Sequence, residues 1–529
     1  MSQNNIKKSN YENVHWADNF AQRAIDANPT SEIYTVESGV TPSGIIHVGH
    51  FREVITMEMV RRAFENKGKK TRFIYSWDNY DAFRKVPKNL PENYEKYLRL
   101  PLMQVPDPEN CHNSFGEHYI SEGEKALSVF NFPIEFQYQD KLQRSGIYAE
   151  GIRTILRAEQ KGEIQDILNK YRQEPLKKDW TSATLFCEKC GKDTTKVYGY
   201  DGEYSLNYIC KCGHSNKINF KETPIVKLLF RTDWPMRWAY YGVNVEGGGK
   251  DYSTPGSPWF TGNEILEKIF NKPRLIGPFH NFVSMKGQNG KISSSKGDGA
   301  TTSDLLKIYT PELILFLFAG TRPNAEFDIS FDLDVIKIYE DFDKLERIYF
   351  GIETEKNEKK LATLKRTYEL SMVTGRKIPE TLPFQPSFRH LVTNAQANNF
   401  DLEKLKKIYS SEIKTEFDLI RLKERLLRVK NWLNLYAPED MVFSILDNLS
   451  SNLSDLNLEI IKDLKQNLNS INENKQLINF FKELCSKYNL EMKELATILY
   501  NIIIGKDKGP RLSTLILENK VKIINLINN

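Results

Sequence analysis

Two short stretches far apart in the chain constrain it more than any other feature. Residues 41–50 (TPSGIIHVGH) follow a strand-like apolar run at residues 33–37 and precede a helical pattern. A strand, a turn of small residues and a His-x-Gly-His entering a helix favour anion binding, because backbone N–H groups, the helix dipole and imidazoles all face the anion. Residues 291–297 (KISSSKG) add two lysines in a loop of low steric bulk. Together the stretches suit a reaction that moves negative charge at the α-phosphate of ATP.

The two stretches resemble the HIGH and KMSKS motifs of class I aminoacyl-tRNA synthetases. Further segments are similar to class I lysyl-tRNA synthetases: residues 38–44, 51–54, 84–87, 233–238, 249–251, 293–297, 327–332 and 509–512. The likeness runs from about residue 15 to about residue 520, so it covers nearly the whole chain.

Composition agrees with a folded protein of several domains. A chain of 529 residues exceeds one hydrophobic core and suggests three or four domains. A net charge of +5 with 74 Lys and Arg residues is compatible with a tRNA partner without demanding one. The N-terminus is polar, the apolar runs are too short to cross a bilayer, and six cysteines do not suggest a disulfide scaffold. We therefore expect a cytoplasmic protein with no membrane attachment and no obligate protein partner.

The patterns along the chain predict an α/β protein in four regions. Strands at 33–37 and 71–77 flank a helix at 47–66, which predicts a parallel unit whose ligands bind at the carboxyl ends of the strands. The regions are 1–87, the first half of a Rossmann-like catalytic domain; 88–222, an insertion with zinc-binding elements; 223–335, the second half with the KMSKS-like loop; and 336–529, a helical region. The resemblance implies that this last region is an all-α, anticodon-binding helix cage.

Helices are predicted in the insertion and throughout the C-terminal region. A helix is expected over residues 147–171. Apolar residues at helical spacing form stripes that we interpret as core packing: Leu419, Leu422, Leu426, Val429, Leu433 and Tyr436; Leu464, Leu468 and Ile471; Met492, Leu495, Leu499 and Ile502.

Two close cysteine pairs predict a zinc ribbon. The pairs are Cys187-x-x-Cys190 and Cys210-x-Cys212, and the residues between them favour turns and strands. Four thiolates on two turns suit tetrahedral zinc, which in a cytosolic chain is favoured over disulfides. Because the second pair is one residue shorter than usual, His214 is an alternative ligand.

A second metal set lies in the same insertion. It consists of Asp107, Cys111, His112 and His118, and the resemblance implies a site with these ligand types here. Both zinc ions would be structural and would hold inserted loops that lack a large core.

The resemblance implies lysine activation by ATP, followed by transfer of lysine to the 3′ end of tRNA-Lys. Positioning and charge stabilisation dominate such a reaction, with magnesium bridging the phosphates of ATP. The catalytic candidates are His47, His50, Lys291 and Lys296. The residues assigned to ATP are Pro42, Ser43, Gly44, His47, Gly49, His50, Lys291, Ser293, Ser294, Ser295 and Lys296.

A lysine side chain needs a carboxylate partner and apolar or aromatic walls. Glu37 is the first choice for the carboxylate, with Asp78 and Asp81 as rivals. Gly39 and Thr41 lie where the family binds lysine. The chain departs from the family pattern at Phe230, where Trp is usual, at Tyr252, where His is usual, and at Phe279, where Tyr is usual. These aromatic residues are expected to keep the walls while they change the hydrogen bonds.

Other readings remain open at this point. Arg511, near a Gly-Pro turn, is the candidate for tRNA contact. The chain could instead be a class I synthetase for another amino acid, a catalytically silent tRNA-binding paralogue, or a small-molecule adenylyltransferase that shares the His-x-Gly-His turn.

Overall fold

Strands and helices alternate through the first part of the chain, and every described element after Ile329 is helical. The computed structural model describes residues 14–88, 90–286, 300–450 and 453–528. The strands are β1 (Ile33–Val40), β2 (Lys70–Trp77), β3 (Ile134–Tyr138), β4 (Ala183–Leu185), β5 (Thr195–Tyr198), β6 (Ser205–Cys210), β7 (Ser215–Asn219), β8 (Val226–Leu228), β9 (Val243–Glu246), β10 (Gly248–Gly249), β11 (Phe279–His280), β12 (Val283–Met285) and β13 (Phe327–Ile329).

The helices follow the same chain order. They are α1 (Trp16–Ala27), α2 (Val48–Asn66), α3 (Phe115–Ser128), α4 (Gln139–Arg144), α5 (Ala149–Gln160), α6 (Glu163–Asn169), α7 (Phe230–Tyr241), α8 (Pro258–Lys268), α9 (Thr302–Ile308), α10 (Pro311–Ala319), α11 (Asp334–Tyr349), α12 (Glu358–Ser371), α13 (Phe388–Ala397), α14 (Leu402–Ile408), α15 (Glu416–Leu435), α16 (Asp455–Asn467), α17 (Asn474–Tyr488), α18 (Met492–Ile504), α19 (Leu512–Glu518) and α20 (Lys520–Asn528). Short 3-10 turns lie at Glu92–Tyr97, Leu102–Gln104, Lys250–Ser253, Glu439–Met441 and Leu468–Ser470. None of the helices described is long and apolar enough to cross a membrane.

The central sheet is parallel, in the order β3-β2-β1-β9, which confirms the predicted β1-α2-β2 unit. β1 extends to Val40, beyond the predicted end at Glu37. The sequence Ser38-Gly39 looks like the start of a turn, but it pairs with β2, where a Cβ on Gly39 would lie 2.8 Å from the Ser76 carbonyl oxygen. Glycine therefore permits the close approach of the two strands at their carboxyl ends.

Helix α2 packs on this sheet and is buried on more than one side. Its predicted apolar positions, Phe51, Ile55, Met59 and Ala63, are all buried. The chain leaves the helix through Gly68, which has a φ of 72° that favours glycine. The helix also buries several charged side chains, Arg52, Glu58 and Arg61 among them.

The insertion contributes to a large hydrophobic core that it shares with residues after 222. The helix predicted at residues 147–171 is two helices, α5 and α6, because Gly162 between them has a φ of 83°. These helices pack with β4, β6 and β8 in one buried cluster that includes Cys187 and Cys210. The expectation that the cysteine ribbon lacks a large core is therefore wrong, and the antiparallel strands β5-β6-β7 stand on this core.

Contacts divide the chain into two units that do not follow a single cut. One comprises residues 1–305, 314–329 and 355–378, and the other comprises 306–313, 330–354 and 379–529. Helix α12 belongs to the first unit, where Arg366 forms an ion pair with Asp18 of α1 at 2.9 Å. The four sequence regions thus remain a prediction about function rather than a division by contacts.

The second unit is built on the predicted apolar stripes. In α15, Leu422, Leu426, Val429 and Leu433 are buried, whereas Tyr436 lies just past the helix end and stacks on Phe331 at 4.5 Å. Leu464, Leu468, Ile471, Leu495, Leu499 and Ile502 are buried too, whereas Met492 is exposed. Helix α15 also buries two ion pairs, between Arg421 and Glu346 and between Arg425 and Asp343. The apolar stripe of this helix did not indicate them.

Candidate active site

A cavity of about 910 Å³ opens at the carboxyl ends of β1, β2 and β9, within the first unit. This is the edge of the sheet at which the sequence predicted a ligand site. Residues that line it include Glu37, Gly39, Thr41, Ser43, His47, Gly49, His50, Glu53, Asp78, Asp81, Lys227, Phe230, Asp233, Trp234, Arg237, Glu246, Tyr252, His280, Asn281 and Phe282.

The two histidines of the His-x-Gly-His turn stand together at the start of α2. Their rings stack with centroids 3.9 Å apart, and both line the cavity. The Nδ1 atom of His47 accepts a hydrogen bond from the Gly49 N–H at 3.1 Å and so caps the helix. A Cβ on Gly49 would lie 2.9 Å from that imidazole, so glycine is required here by the histidine itself.

The other residues assigned to ATP fall into three groups. Ser43 lines the cavity with the histidines. Pro42 and Gly44 are buried in the same turn but are not among the residues lining the cavity. Lys291, Ser293, Ser294, Ser295 and Lys296 lie outside the described residues.

Glu37 lines the cavity and has one carboxylate oxygen without a hydrogen-bond partner among the described residues. The residue is buried on β1, and its Oε1 accepts a hydrogen bond from the Ser76 hydroxyl at 3.0 Å. Its Oε2 is buried and has no hydrogen-bond partner among the described residues. Burial raises the pKa of Glu37 from 4.5 to about 7, although the nearby Arg237 opposes the shift.

The two rival carboxylates are already paired. The Nη1 atom of Arg237 lies 2.7 Å from Asp78, and its Nε lies 3.0 Å from Asp233. Lys227 forms an ion pair with Asp81, and the Thr41 hydroxyl donates to the same carboxylate at 3.4 Å. Burial is the largest single influence and would raise the pKa of Asp81, but the charge and hydrogen bond of Lys227, together with the charges of Arg84 and Arg237, make the net shift downward.

An aromatic wall faces these carboxylates. Phe230 stacks on Trp234 with centroids 4.8 Å apart, and Tyr252 meets Trp234 edge to face at 5.3 Å. Glu246 fixes the wall, because its carboxylate accepts from the indole N–H of Trp234 at 2.7 Å and from that of Trp238. Burial, and then the charge of Glu37, raise the pKa of Glu246 well above its ordinary value.

Phe279 is the predicted wall residue that the structure places elsewhere. It packs against Trp259 with centroids 4.9 Å apart and is not among the residues lining the cavity. The next residue, His280, faces the cavity instead, with its Nε2 atom 3.5 Å from Glu53. Successive side chains of a strand lie on opposite faces, which explains why His280 rather than Phe279 of β11 lines the cavity.

The four cysteines of the ribbon come together. The Sγ atoms of Cys187 and Cys212 are 3.8 Å apart, and those of Cys190 and Cys210 are 3.6 Å apart. Four sulfurs about 2.3 Å from one centre would be about 3.8 Å apart, so the spacing fits tetrahedral zinc. His214 is not needed as a ligand; it lies 4.0 Å from Glu188.

The second set of potential ligands also converges. The Nδ1 atom of His118 lies 3.3 Å from the Cys111 sulfur and 3.2 Å from Asp107. The Nδ1 atom of His112 lies 3.1 Å from the same sulfur. One oxygen, one sulfur and two nitrogens at these separations fit a four-coordinate ion.

Comparison with known proteins decides the family. The family described as tRNA synthetases class I (K) matches residues 14–374, which span the whole cavity and both sets of potential ligands. The chain belongs to the class I lysyl-tRNA synthetases.

Curated relatives match nearly the full length of this synthetase. The lysine–tRNA ligase of Borreliella burgdorferi is 41% identical over 94% of this chain and 96% of its own. Those of Thermococcus kodakarensis and Treponema pallidum are 40% and 38% identical over 94% of this chain and 96% and 95% of their own. A solved glutamate–tRNA ligase from Elizabethkingia meningosepticum covers 94% of this chain and 98% of its own at 14% identity, with a TM-score of 0.40, too weak a likeness to support a conclusion.

Sequence reasoning missed several residues of this synthetase's cavity. Arg237, Lys227 and Glu246 had no assigned role, although all three are bound to predicted site residues or to the aromatic wall. A signal was present, because residues 233–238 place Asp and Arg, and the two Trp residues, four positions apart on one helix face. Glu246 offered none, since a lone acid after an apolar run is typical of a solvated loop.

Proposed function

We propose that this synthetase is a lysine–tRNA ligase. It activates L-lysine with ATP to lysyl-adenylate, releases pyrophosphate, and transfers lysine to the 3′ end of tRNA-Lys. Membership of the class I lysyl-tRNA synthetases and the full-length match to curated lysine–tRNA ligases support the proposal. We expect it to act in the cytoplasm, where translation takes place.

The observation that carries the choice of lysine is the open oxygen of Glu37. A lysine ammonium is a compact cation with three donors, and it needs an unpaired acceptor in an otherwise apolar pocket. Glu37 Oε2 is buried beside the aromatic wall, while Asp78 and Asp81 are occupied by Arg237 and Lys227. We therefore assign the ammonium to Glu37, with Gly39, Thr41, Phe230 and Tyr252 around the rest of the substrate.

The phosphates of ATP would lie at the His-x-Gly-His turn. His47 and His50 would donate hydrogen bonds to phosphate oxygens next to the N-terminus of α2, where the helix dipole favours an anion. Lys291 and Lys296, with Ser293, Ser294 and Ser295, would neutralise charge on the departing pyrophosphate. When bound, magnesium supplies further neutralisation of those phosphates.

Two structural zinc ions complete the proposal. Cys187, Cys190, Cys210 and Cys212 would hold one, and Asp107, Cys111, His112 and His118 would hold the other. Each would fix loops of the insertion near the cavity, and neither would take part in the reaction.

The helical C-terminal region would form a cage that reads the anticodon. Arg511 is exposed at the start of α19, next to Pro510, whose carbonyl accepts a hydrogen bond from Tyr500. An exposed guanidinium on a held turn suits stacking on an unpaired base.

The test is charging of total cellular tRNA with each standard amino acid in turn, with ATP and magnesium. Charging with lysine alone is the expected result. Charging with a different amino acid would mean that Phe230 and Tyr252 define another pocket. Binding of tRNA without charging would identify a silent paralogue. Adenylation of a small molecule other than an amino acid, with no charging of tRNA, would identify a small-molecule adenylyltransferase.

A further inference from the structure

Arg52 on α2 is almost fully buried and is satisfied entirely by backbone carbonyls. Its side chain donates to five of them. The Nη1 atom reaches Asn281 and Phe282 at 2.8 and 3.1 Å, and the Nη2 atom reaches Arg322, Pro323 and Ala325 at 3.2, 2.9 and 2.7 Å. No carboxylate in residues 14–88, 90–286, 300–450 or 453–528 forms an ion pair with it, and burial lowers its pKa to about 10. The charge of Glu326 opposes that shift, so Arg52 remains charged, and its hydrogen bonds all go to oriented carbonyl dipoles.

The acceptors belong to two segments that meet beside the cavity. Residues 281–282 lead directly into β12, residues 322–325 lead into β13, and these two strands pair in parallel. The segments also bind each other, since the Asn281 N–H donates to the Pro323 carbonyl at 2.8 Å. Residues 280–283 line the same cavity as His47 and His50.

Lysine could not replace this arginine. A guanidinium presents a planar fork that reaches two segments at once, whereas an ammonium has three donors at a single point. The fork also lies 5.1 Å from the ring centre of Phe327, at the start of β13. Loss of the fork would leave several buried carbonyls without donors, and the segments would have to move to satisfy them.

We propose that Arg52 is a positioning residue for the reaction. It fixes the residue 280–283 wall relative to His47 and His50, which lie five and two residues earlier in the chain, and so sets the width of the nucleotide side of the cavity. The kinetic part of this inference rests on the proposed ligase function. The structural part, that Arg52 holds this wall to α2 alongside the contact between His280 and Glu53, does not.

The chain offers a matched control on the same helix. Arg62 is also largely buried, and it donates to the carbonyls of Glu369, Leu370 and Met372 at 2.7, 2.9 and 2.9 Å. None of those acceptors lines the cavity. A general cost of changing a buried arginine on α2 would therefore appear in both positions, whereas a positioning effect would appear only at Arg52.

The experiment compares full-length Arg52→Lys, Arg52→Gln and Arg62→Lys with the parent by lysine-dependent ATP–pyrophosphate exchange and by amide hydrogen exchange. For both Arg52 variants we expect kcat/KM for ATP to fall by about tenfold or more, because small misplacements at a reacting site are costly. The KM for lysine should change less than about twofold, since the Glu37 carboxylate is held by the Ser76 hydroxyl of β2. Exchange should accelerate in peptides covering 279–286 and 322–329, but not in β1. Arg62→Lys should accelerate exchange at 369–373 and keep kcat/KM within about twofold.

Each outcome is decisive. Unchanged exchange at 279–286 in both Arg52 variants would overturn the proposal, as would an equal kinetic loss in Arg62→Lys. Acceleration spread over β1 as well would also overturn it, because Arg52 would then support the fold in general. If the parent protein shows no lysine-dependent activity, the ligase proposal fails, while the local change in hydrogen exchange still decides whether Arg52 positions the wall.

Discussion

At the scale of the residue, two buried carboxylates on neighbouring strands have opposite surroundings. Glu37 and Glu246 face each other in the register of β1 and β9, and burial raises the pKa of both. Both oxygens of Glu246 accept indole N–H groups, so it serves the aromatic wall. One oxygen of Glu37 is left open, so it is the group that a cationic ligand would complete.

Glu37 should give lysine binding a characteristic pH dependence. Because the pKa of Glu37 is raised in the folded protein, this group's contribution to stability is greatest below its ordinary pKa of 4.5. That contribution is lost as pH rises through about 7. Lysine needs the ionised form, so its KM should fall by up to about tenfold per unit as pH rises toward 7 and level off above it. Glu37→Gln should raise the KM at pH 8 by roughly tenfold or more and remove the slope.

Steady-state ATP–pyrophosphate exchange between pH 6 and 8.5 would measure this effect. Glu124→Gln is a suitable control, because Glu124 accepts from Trp77 and Tyr138 outside the cavity. A Glu37→Gln variant with the parental KM and slope would show that the ammonium binds elsewhere.

The choice among Glu37, Asp78 and Asp81 shows where sequence reasoning stopped. Position after a strand placed all three at the ligand edge, and the structure confirms that placement. Their partners, Arg237 and Lys227, come from a later part of the chain, and local pattern does not predict such long-range pairing. Pairing, rather than position, separates the open carboxylate from the occupied ones.

At the scale of the element, the periodicity of apolar residues predicted whether each long segment is a helix or a strand. It did not predict where a helix is interrupted or which charged residues a helix buries. The β1-α2-β2 unit and the stripe of α15 followed from apolar spacing, which reports one buried face. The break at Gly162 depends on a backbone conformation, and the burial of Arg425 depends on Asp343 of another helix. Neither is encoded in the spacing of apolar residues.

The insertion provides an element-scale prediction about metal. We expect the purified protein to contain two zinc ions per chain, and Cys190→Ser to contain about one, with a melting temperature lower by roughly several degrees. Elemental analysis and thermal unfolding would measure both quantities. Cys485→Ser is the matched control, since this free cysteine lies in α17, outside both sets of ligands. Zinc retained in full by Cys190→Ser would contradict the ribbon assignment.

At the scale of the whole molecule, each of the two units consists of three separate ranges of the chain. Truncation at a single residue therefore cannot remove one unit and leave the other intact. A fragment ending near residue 335 would lose α12, which packs in the first unit through Arg366 and Asp18. Loss of activity in such a fragment would therefore reveal nothing about the anticodon region. Point substitutions are the better means of assigning a role to the second unit.

Arg511→Ala tests that role directly. If the helical region reads the anticodon, the variant should raise the KM for tRNA by roughly fivefold or more, the loss of one stacking contact. Lysine-dependent ATP–pyrophosphate exchange, measured with saturating tRNA, should stay within about twofold, because that step does not consume tRNA. Arg389→Ala, an exposed arginine paired with Glu340, is the control and should change neither quantity. A parental KM for tRNA in Arg511→Ala would remove this residue from the interface.

The long reach of the α2 arginines has a consequence for synthesis. One carbonyl that Arg52 binds lies 273 positions later in the chain, and the last carbonyl that Arg62 binds lies 310 positions later. At about 5–20 residues per second, the ribosome needs about 15–60 s to supply the last of them. During that interval α2 has two arginines whose carbonyl partners have not yet been synthesised, and its apolar residues are not yet fully buried. The nascent chain must therefore remain soluble in an unfinished state, and we expect its yield to depend on translation speed and chaperone supply more than its final stability would suggest.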